Sequence, residues 1–267
     1  MNTDKGEEAS PPFPDINPEG PVLLILLGAS NLTLGCAPLI QFLEHHLAPR
    51  PVHVVAAHGP GRAYHAYGGF LNAVYPPLNG GNWYPAAREY AREGGPVLAL
   101  VTDIGNDILY GVSSEDIQES VGEVLDCLHE LKAHTLLTCL PSYFENPVSP
   151  LAFYLIRTLL FPKSRTTPEE ALTSVRSLNA FVQARESQRI RVMGPLEEMR
   201  GCDKVHYSPL RAHEAWTRMG LELLSMAGIK SSKVIPRSKM IRSQVKTVFN
   251  FLFSDVLKLK AKDSRFF

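Results

Sequence analysis

Four short strings in the sequence carry residue types that could do chemistry together, and they occur in a fixed order. A serine hydroxyl, an imidazole and a carboxylate are the parts of an activated nucleophile, and glycine N–H groups or an asparagine amide can stabilise an oxyanion. The strings are Gly28-Ala29-Ser30, Gly59-Pro60-Gly61, Gly105-Asn106-Asp107 and Asp203-Lys204-Val205-His206. Each string alone is a weak signal, so their joint position decides what they indicate.

Ser30 follows the apolar run Val22–Leu27, where a predicted strand turns into a helix. Gly28 permits a tight turn there, and Asn31 and Thr33 could cap the helix. A serine at this point could also be a helix N-cap without any catalytic role. The segment lacks the glycine pattern of dinucleotide-binding loops and the Lys-Ser/Thr pair of P-loops, which argues against a nucleotide site.

Asp203 and His206 lie three residues apart after the last predicted strand. In a turn or a first helical turn this spacing places both side chains on one side. The carboxylate can then hold one imidazole nitrogen while the other faces a hydroxyl. The alternative is a surface pair without function, and His58 and His65 are the rival candidates for the base. The spacing of His, Asp and Glu predicts no metal site, and we expect no cofactor.

Asn106 and Gly61 are the candidate oxyanion donors. Asn106 follows the third predicted strand and offers a side-chain amide, and losing one such donor typically costs about 3 kcal/mol of transition-state stabilisation. Gly61 offers a backbone N–H at a point where the chain can approach a ligand closely. Both strings also consist of residue types that are common in turns, so they could serve the local structure alone.

The apolar pattern predicts a three-layer α/β/α domain. Continuous apolar runs of strand length are typical of parallel strands that are buried on both faces, and helical patterns lie between them. The strands are predicted at Val22–Leu27, Val52–Ala57, Val97–Thr102, Thr135–Leu140 and Ile190–Met193, with the clearest helices at Ser114–Leu131 and Pro168–Glu186. All four strings follow the carboxyl ends of different strands, where open α/β sheets bind ligands.

In these blocks and in their order, residues 21–227 resemble the SGNH (GDSL-like) hydrolase superfamily. The resemblance implies a flavodoxin-like fold with a five-stranded parallel sheet of order 2-1-3-4-5. It further implies that Ser30 is the nucleophile, His206 the general base and Asp203 its partner. The N–H group of Ser30 would form an oxyanion hole with Gly61 and Asn106.

Two positions depart from the pattern of this family. Ala29 stands where the first block usually has Asp, and Arg62 stands where a small or acidic residue is more usual. The missing Asp is not the carboxylate of the triad, so the departure bears on the local turn and not on the proton transfer. Gly59 is the alternative to Gly61 in the second block.

Composition and charge divide the chain into three predicted parts. The chain has 45% hydrophobic and 20% charged residues, which is typical of a globular protein. Its formal net charge is zero, so no overall positive charge favours binding of nucleic acid. We expect a disordered leader over 1–20, an SGNH-like domain over 21–229 and a basic tail over 230–267. No pattern of a signal peptide is present, and the cysteines show no paired spacing, so the sequence predicts a cytoplasmic protein.

The tail has apolar residues at helical spacing and many basic residues between 237 and 262. Such a helix can lie on an anionic membrane surface, or it can dock on the domain or on a partner. Two long segments, Gly59–Gly95 and Pro141 to about Thr167, are long enough to form binding walls or lids. Aromatic residues in the first segment and the apolar stretches Leu151–Ile156 and Leu159–Phe161 in the second could line a site, or they could pack on the core.

Together these observations predict a serine-dependent hydrolase of carboxylic esters that works through an acyl-enzyme. Its substrate would be a small-molecule ester, such as a lipid or an acylated sugar. One alternative is an acyltransferase that uses the same site, and another is a degenerate SGNH-fold module recruited to a membrane or partner by its tail. The sequence leaves the acyl group, the alcohol and the oligomeric state open.

Overall fold

The computed structural model describes residues 20–71, 73–141, 157, 161 and 164–259. Five strands form one sheet in which every neighbouring pair runs parallel, in the order β2-β1-β3-β4-β5. The strands are β1 Val22–Leu27, β2 Val52–Ala57, β3 Val97–Val101, β4 His134–Thr138 and β5 Ile190–Met193. This is the α/β fold and the strand order that the resemblance implies, and both predictions are confirmed.

Helices connect the strands and extend beyond the last one. Those of the described residues are α1 Ser30–Leu47, α2 Trp83–Ala91, α3 Asn106–Leu109, α4 Ser114–Glu130, α5 Pro168–Gln183, α6 Ala212–Met226 and α7 Arg237–Phe251, with a 3-10 turn at Glu197–Met199 and a π-helical turn at Leu252–Val256. Ser113 caps α4, because its hydroxyl accepts a hydrogen bond from the N–H of Asp116 at 3.1 Å.

The helices cover the two faces of the sheet and complete three layers. On one face α2, α4 and α5 bury apolar side chains such as Trp83, Val121 and Val175 against the strands. On the other face α1 and α6 do the same through Leu39, Trp216 and other residues, and α7 packs on these two helices. All six residues of β1 are buried, which explains why its sequence is apolar throughout.

The register of the central strands brings three loops to one edge of the sheet. Leu27 of β1 lies beside Ala57 of β2 and Val101 of β3, so these strands end level with one another. The next residues stay aligned, since the N–H of Gly28 donates to the carbonyl of Ala57 at 3.2 Å. The segments that begin at 28, 58 and 102 therefore meet, and these segments carry three of the four strings.

The tail packs on the domain through α7. Met240 is fully buried and Gln244 is 8% exposed, and α7 lies against α1. The apolar stripe expected for a surface helix includes Val245, which is 52% exposed. The leader over 1–19, the stretch 142–156 and residues 260–267 lie outside the described residues. Within the described part, no helix combines the length and apolar character needed to cross a bilayer.

Candidate active site

Ser30, His206 and Asp203 meet in one chain of hydrogen bonds. His206 Nε2 lies 2.8 Å from Ser30 Oγ, and His206 Nδ1 lies 2.7 Å from Asp203 Oδ2. The side chains of His206 and Asp203 are 28% and 34% exposed, so a ligand can reach them. This geometry lets the imidazole take the hydroxyl proton while the carboxylate holds the ring in the required orientation.

An Asx-type turn, and not a helix, sets the spacing of Asp203 and His206. Asp203 Oδ1 accepts hydrogen bonds from the N–H groups of Val205 and His206 at 3.0 and 2.9 Å. Lys204 between them has a φ of 58°, in the left-handed region. One carboxylate oxygen thus shapes the loop while the other holds the imidazole ring.

Asp203 remains a carboxylate under neutral conditions. Burial alone would raise its pKa, but the hydrogen bond and the Coulombic attraction of His206 outweigh that effect. The backbone N–H groups of His206 and Val205 act in the same direction, and the pKa falls below its ordinary value. The ring of His206 therefore has an anionic partner that stabilises the imidazolium formed on proton transfer.

Asp103 holds the turn at which Ser30 begins α1, a role that the sequence did not indicate. Its Oδ2 accepts hydrogen bonds from the N–H groups of Ala29 and Leu32, both at 3.1 Å. Neither Asn31 nor Thr33 caps the helix, since Thr33 Oγ1 donates to the carbonyl of Ala29 at 2.7 Å. A carboxylate from the loop after β3 thus faces this turn, although residue 29 is Ala.

Asn31 joins the loop of Ser30 to the loop of His206. Its Nδ2 donates to Asp103 Oδ1 at 2.9 Å and to the carbonyl of Val205 at 3.2 Å. Its Oδ1 accepts a hydrogen bond from the N–H of Tyr207 at 3.0 Å. Asn31 is 4% exposed, so these bonds are shielded from water and fix the distance between the two loops. Its position next to Ser30 was the only sequence signal for this role.

Asn106 and Gly61 line the same pocket as Ser30. Asn106 Nδ2 donates to the carbonyl of Arg62 at 2.8 Å, which ties the start of α3 to the glycine turn. Gly61 has a φ of 75°, and a Cβ at this position would come within 2.4 Å of the carbonyl oxygen of Gly69. Only glycine fits here, and Gly59 instead lies against the ring of Tyr75.

Asp107 holds the segment that follows the glycine turn. It is fully buried and accepts hydrogen bonds from the N–H groups of Tyr64, His65 and Ala66 at 2.7, 3.1 and 2.9 Å. Burial raises its pKa, and the three N–H groups oppose that shift. Asn106 and Asp107 thus both join the start of α3 to the loop after β2. Asn106 lines the pocket, and Asp107 is buried in the domain.

The unusual Arg62 directs its side chain away from the pocket. It is 1% exposed, and its Nε donates to the carbonyl of Pro76 at 3.2 Å. The guanidinium lies 6.0 Å from the centre of the Tyr75 ring, and burial lowers its pKa to about 10. The backbone carbonyl of Arg62 reaches the site through its hydrogen bond with Asn106.

The two rival histidines bond elsewhere. His58 Nδ1 lies 3.1 Å from Thr33 Oγ1, and His65 Nδ1 lies 2.9 Å from Ser120 Oγ. His206 is thus the imidazole that contacts Ser30. Among the described residues, no group of three or more His, Cys, Asp or Glu side chains is arranged to hold a metal ion.

Two pockets meet at Ser30. The larger has a volume of about 340 Å³, and the residues that line it include Gly61, Phe70, Asn106, Phe161, His206, Val248 and Phe251. The smaller has a volume of about 90 Å³ and lies between the ends of β3 and β4, with Ile108, Leu140, Val175 and Arg200 in its wall. Ser30 and Asn106 belong to both.

The two long segments contribute differently to these walls. Phe70 lines the larger pocket, whereas Tyr64, Tyr75 and Trp83 of the same segment are buried in the domain. Packing therefore accounts for these three aromatic residues, whereas Tyr67 of the same segment is 73% exposed. In the second segment Phe161 lines the pocket, and Leu151–Ile156 lies outside the described residues.

Comparisons with known proteins found structural similarity only. No protein-family model matches the chain. A search of curated proteins found no match either. Among solved structures, TesA is 16% identical, with 85% of this chain and 97% of that chain covered and a TM-score of 0.40. An esterase EstA from Pseudoalteromonas sp. is 12% identical, with 86% and 98% covered and a TM-score of 0.42.

A carbohydrate esterase of family 3 from Talaromyces cellulolyticus is 13% identical, with 78% of this chain and 98% of that chain covered and a TM-score of 0.42. Identity and TM-score are too low in all three cases to say anything about chemistry. The function of this chain is therefore inferred from its own site, where a serine, a histidine and an aspartate from distant segments share two short hydrogen bonds.

Proposed function

We propose that this protein is a serine-dependent hydrolase of carboxylic esters of the SGNH kind. The observation that carries the proposal is the contact of 2.8 Å between His206 Nε2 and Ser30 Oγ, with Asp203 bonded to the opposite ring nitrogen at 2.7 Å. Ser30 also stands at the junction of two pockets, where the two sides of an ester can be accommodated.

The reaction begins when Ser30 Oγ attacks the carbonyl carbon of the ester while His206 Nε2 takes its proton. The carbonyl oxygen becomes an oxyanion, and the tetrahedral intermediate collapses by breaking the bond to the alkoxy oxygen. That oxygen receives the proton from His206 and leaves as an alcohol. The acyl group stays on Ser30 as an ester.

Water completes the cycle by the same steps. His206 takes a proton from water as the water oxygen attacks the acyl carbon, and a second oxyanion forms. Collapse breaks the bond to Ser30 Oγ, which regains its proton from His206, and the carboxylic acid leaves. Asp203 stays ionised throughout and stabilises the imidazolium, consistent with its lowered pKa.

Three donors are suited to stabilise the oxyanion: the N–H groups of Ser30 and Gly61 and the amide of Asn106. One hydrogen on Asn106 Nδ2 is donated to the carbonyl of Arg62, and its second hydrogen remains for the substrate. The bond to Arg62 also fixes the amide in place before substrate binds. Such preorganised donors lower the barrier because they need no rearrangement during the reaction.

Hydrolysis of short p-nitrophenyl esters by the full chain tests the proposal. Ser30→Ala removes the nucleophile, so we expect kcat to fall by about 10³-fold or more, as in other triads that lose a member. Ser238→Ala, at an exposed serine on α7, is the matched control and should keep the activity of the unmodified chain. Equal activity of Ser30→Ala and Ser238→Ala would contradict the proposal.

A further inference from the structure

The C-terminal helix forms a wall of the larger pocket. Thr247, Val248 and Phe251 of α7, together with Leu252 of the following turn, line it alongside Ser30 and His206. Much of the remaining wall is apolar and comes from Leu34, Pro60, Phe70, Leu109 and Phe161. Its volume of about 340 Å³ lies in the range of small-molecule sites, about 300–1,000 Å³.

Both ends of this wall are fixed to the domain. Met240 near the start of α7 is fully buried, and the N–H of Ile235 just before the helix donates to Thr217 Oγ1 at 2.9 Å. At the other end the ring of Phe251 stacks on Phe70, with centroids 6.3 Å apart and an angle of 18° between the rings. A wall held at both ends is preorganised, so binding against it needs little further ordering.

The position of His206 distinguishes the two pockets. The general base returns its proton to the oxygen of the leaving alcohol, so the alcohol must lie on the side of the site that contains the imidazole. His206 and Gly61 both line the larger pocket, which places the leaving group and an oxyanion donor there. The smaller pocket reaches Ser30 from the ends of β3 and β4 and has about 90 Å³.

We propose that the substrates are esters of a large apolar alcohol with a short acyl group. The alcohol group would lie under α7 in the larger pocket, and the acyl group would lie in the smaller pocket. The proposal deepens the proposed function and rests on it. Under this proposal Val248 is a specificity-determining residue, because its side chain lines the wall of the larger pocket that would contact the alcohol.

Two ester series separate the two pockets. In a series of alkyl acetates of increasing alcohol length, we expect kcat/KM of the full chain to rise about fourfold for each methylene that becomes buried. In a series of p-nitrophenyl esters with a constant alcohol, kcat/KM should fall once the acyl chain outgrows the smaller pocket.

Substitutions at Val248 then test the role of α7. Val248→Trp fills the pocket and should flatten the rise over the alkyl acetates, with a loss of about 15-fold where two methylenes are excluded. Val248→Ala should extend the rise to longer alcohols. Neither variant should change how kcat/KM depends on acyl length. Val245 lies one helical turn away, is exposed to a similar extent (52% against 47% for Val248) and is not among the described residues that line the pocket. Val245→Trp and Val245→Ala are therefore matched controls and should leave both series unchanged.

The outcomes distinguish this inference from the proposed function. If the chain hydrolyses esters through Ser30 but the Val248 variants alter the acyl series instead, or alter neither series, the assignment of the pockets is wrong. If no ester is hydrolysed at all, the proposed function itself fails. Thermal unfolding of each variant ensures that an altered profile reflects the pocket and not a displaced helix.

Discussion

Asn31 and Asp103 illustrate how neighbouring residues decide whether Ser30 and His206 meet. Ser30 lies on a helix after β1, His206 lies on a loop after β5, and the two must stay 2.8 Å apart. Asn31 bonds to the backbone on both sides of His206, at Val205 and Tyr207, and its amide also bonds to Asp103. The carboxylate of Asp103 also fixes the turn before Ser30, because it accepts a hydrogen bond from the N–H of Ala29.

At the residue scale, Asn106→Ala tests the oxyanion hole. We expect kcat to fall by about 10²- to 10³-fold, because the proposed oxyanion hole would lose one of its three donors. KM should change little, since the donor acts mainly on the transition state. Steady-state kinetics with a p-nitrophenyl ester give both values.

Asn79→Ala is the control for this variant. Asn79 also donates through its side-chain amide, but to Ser120 and Glu123 away from the pocket. A drop in kcat of equal size in both variants would show that amide loss acts through general destabilisation.

Ser30, Asp203 and His206 could be found from the sequence because their types and order are characteristic. Asp103 and Asn31 could not, for a physical reason. Asp103 reaches the turn of Ser30 only because its own φ is 59°, a left-handed conformation that an extended pattern does not reveal. The role of Asn31 depends on two loops that meet more than 170 residues apart in the chain.

At the scale of elements, the packing of α1 on α6 depends on one glycine. A Cβ added at Gly35 would lie 1.9 Å from Cε2 of Trp216, a fully packed indole ring. Gly35→Ala should therefore destabilise the protein by about 1–3 kcal/mol, the usual cost of overpacking a core. Chemical denaturation measures the difference.

Gly122→Ala in α4 is the matched comparison. A Cβ there meets nothing within 4 Å, so the better helix propensity of alanine should stabilise the protein by up to about 1 kcal/mol. Equal effects of the two substitutions would contradict the close packing of α1 against Trp216.

The strands were predictable because burial on both faces leaves a continuous apolar run with clear ends. Three of the five predicted strands have the observed bounds, and β4 ends earlier because the N–H of Leu140 bonds to the side chain of Asn179 instead of a neighbouring strand. The docked face of α7 was not predictable. Its buried residues Met240 and Gln244 lie beside the apolar stripe that the periodicity indicated.

At the scale of the whole molecule, α7 and its following turn leave apolar and basic side chains on the outside. Phe249 and Leu259 are 57% and 70% exposed, and Lys239, Arg242 and Lys246 are exposed on the same helix. This combination suits peripheral contact with an anionic lipid surface, which is one of the two alternatives that the sequence leaves open for the tail. We expect the full chain to float with vesicles that contain phosphatidylserine.

Three controls define this prediction. High salt should weaken the association because it screens the basic residues, and Phe249→Ser with Leu259→Ser should weaken it because the apolar contact is lost. Vesicles of phosphatidylcholine alone should bind less of the protein. If the full chain stays at the bottom of the gradient with anionic vesicles, the exposed face of α7 does not bind lipid.

Covalent labelling with a fluorophosphonate probe, followed by mass spectrometry of the labelled peptide, measures directly whether Ser30 is an activated nucleophile. The probe reacts with a serine that a nearby base activates, so we expect one adduct on Ser30 in the folded chain. His206→Ala should abolish the adduct, because Ser30 Oγ then loses its partner at 2.8 Å. Absence of label on Ser30 in the folded protein, or full labelling in His206→Ala, would show that His206 does not activate Ser30.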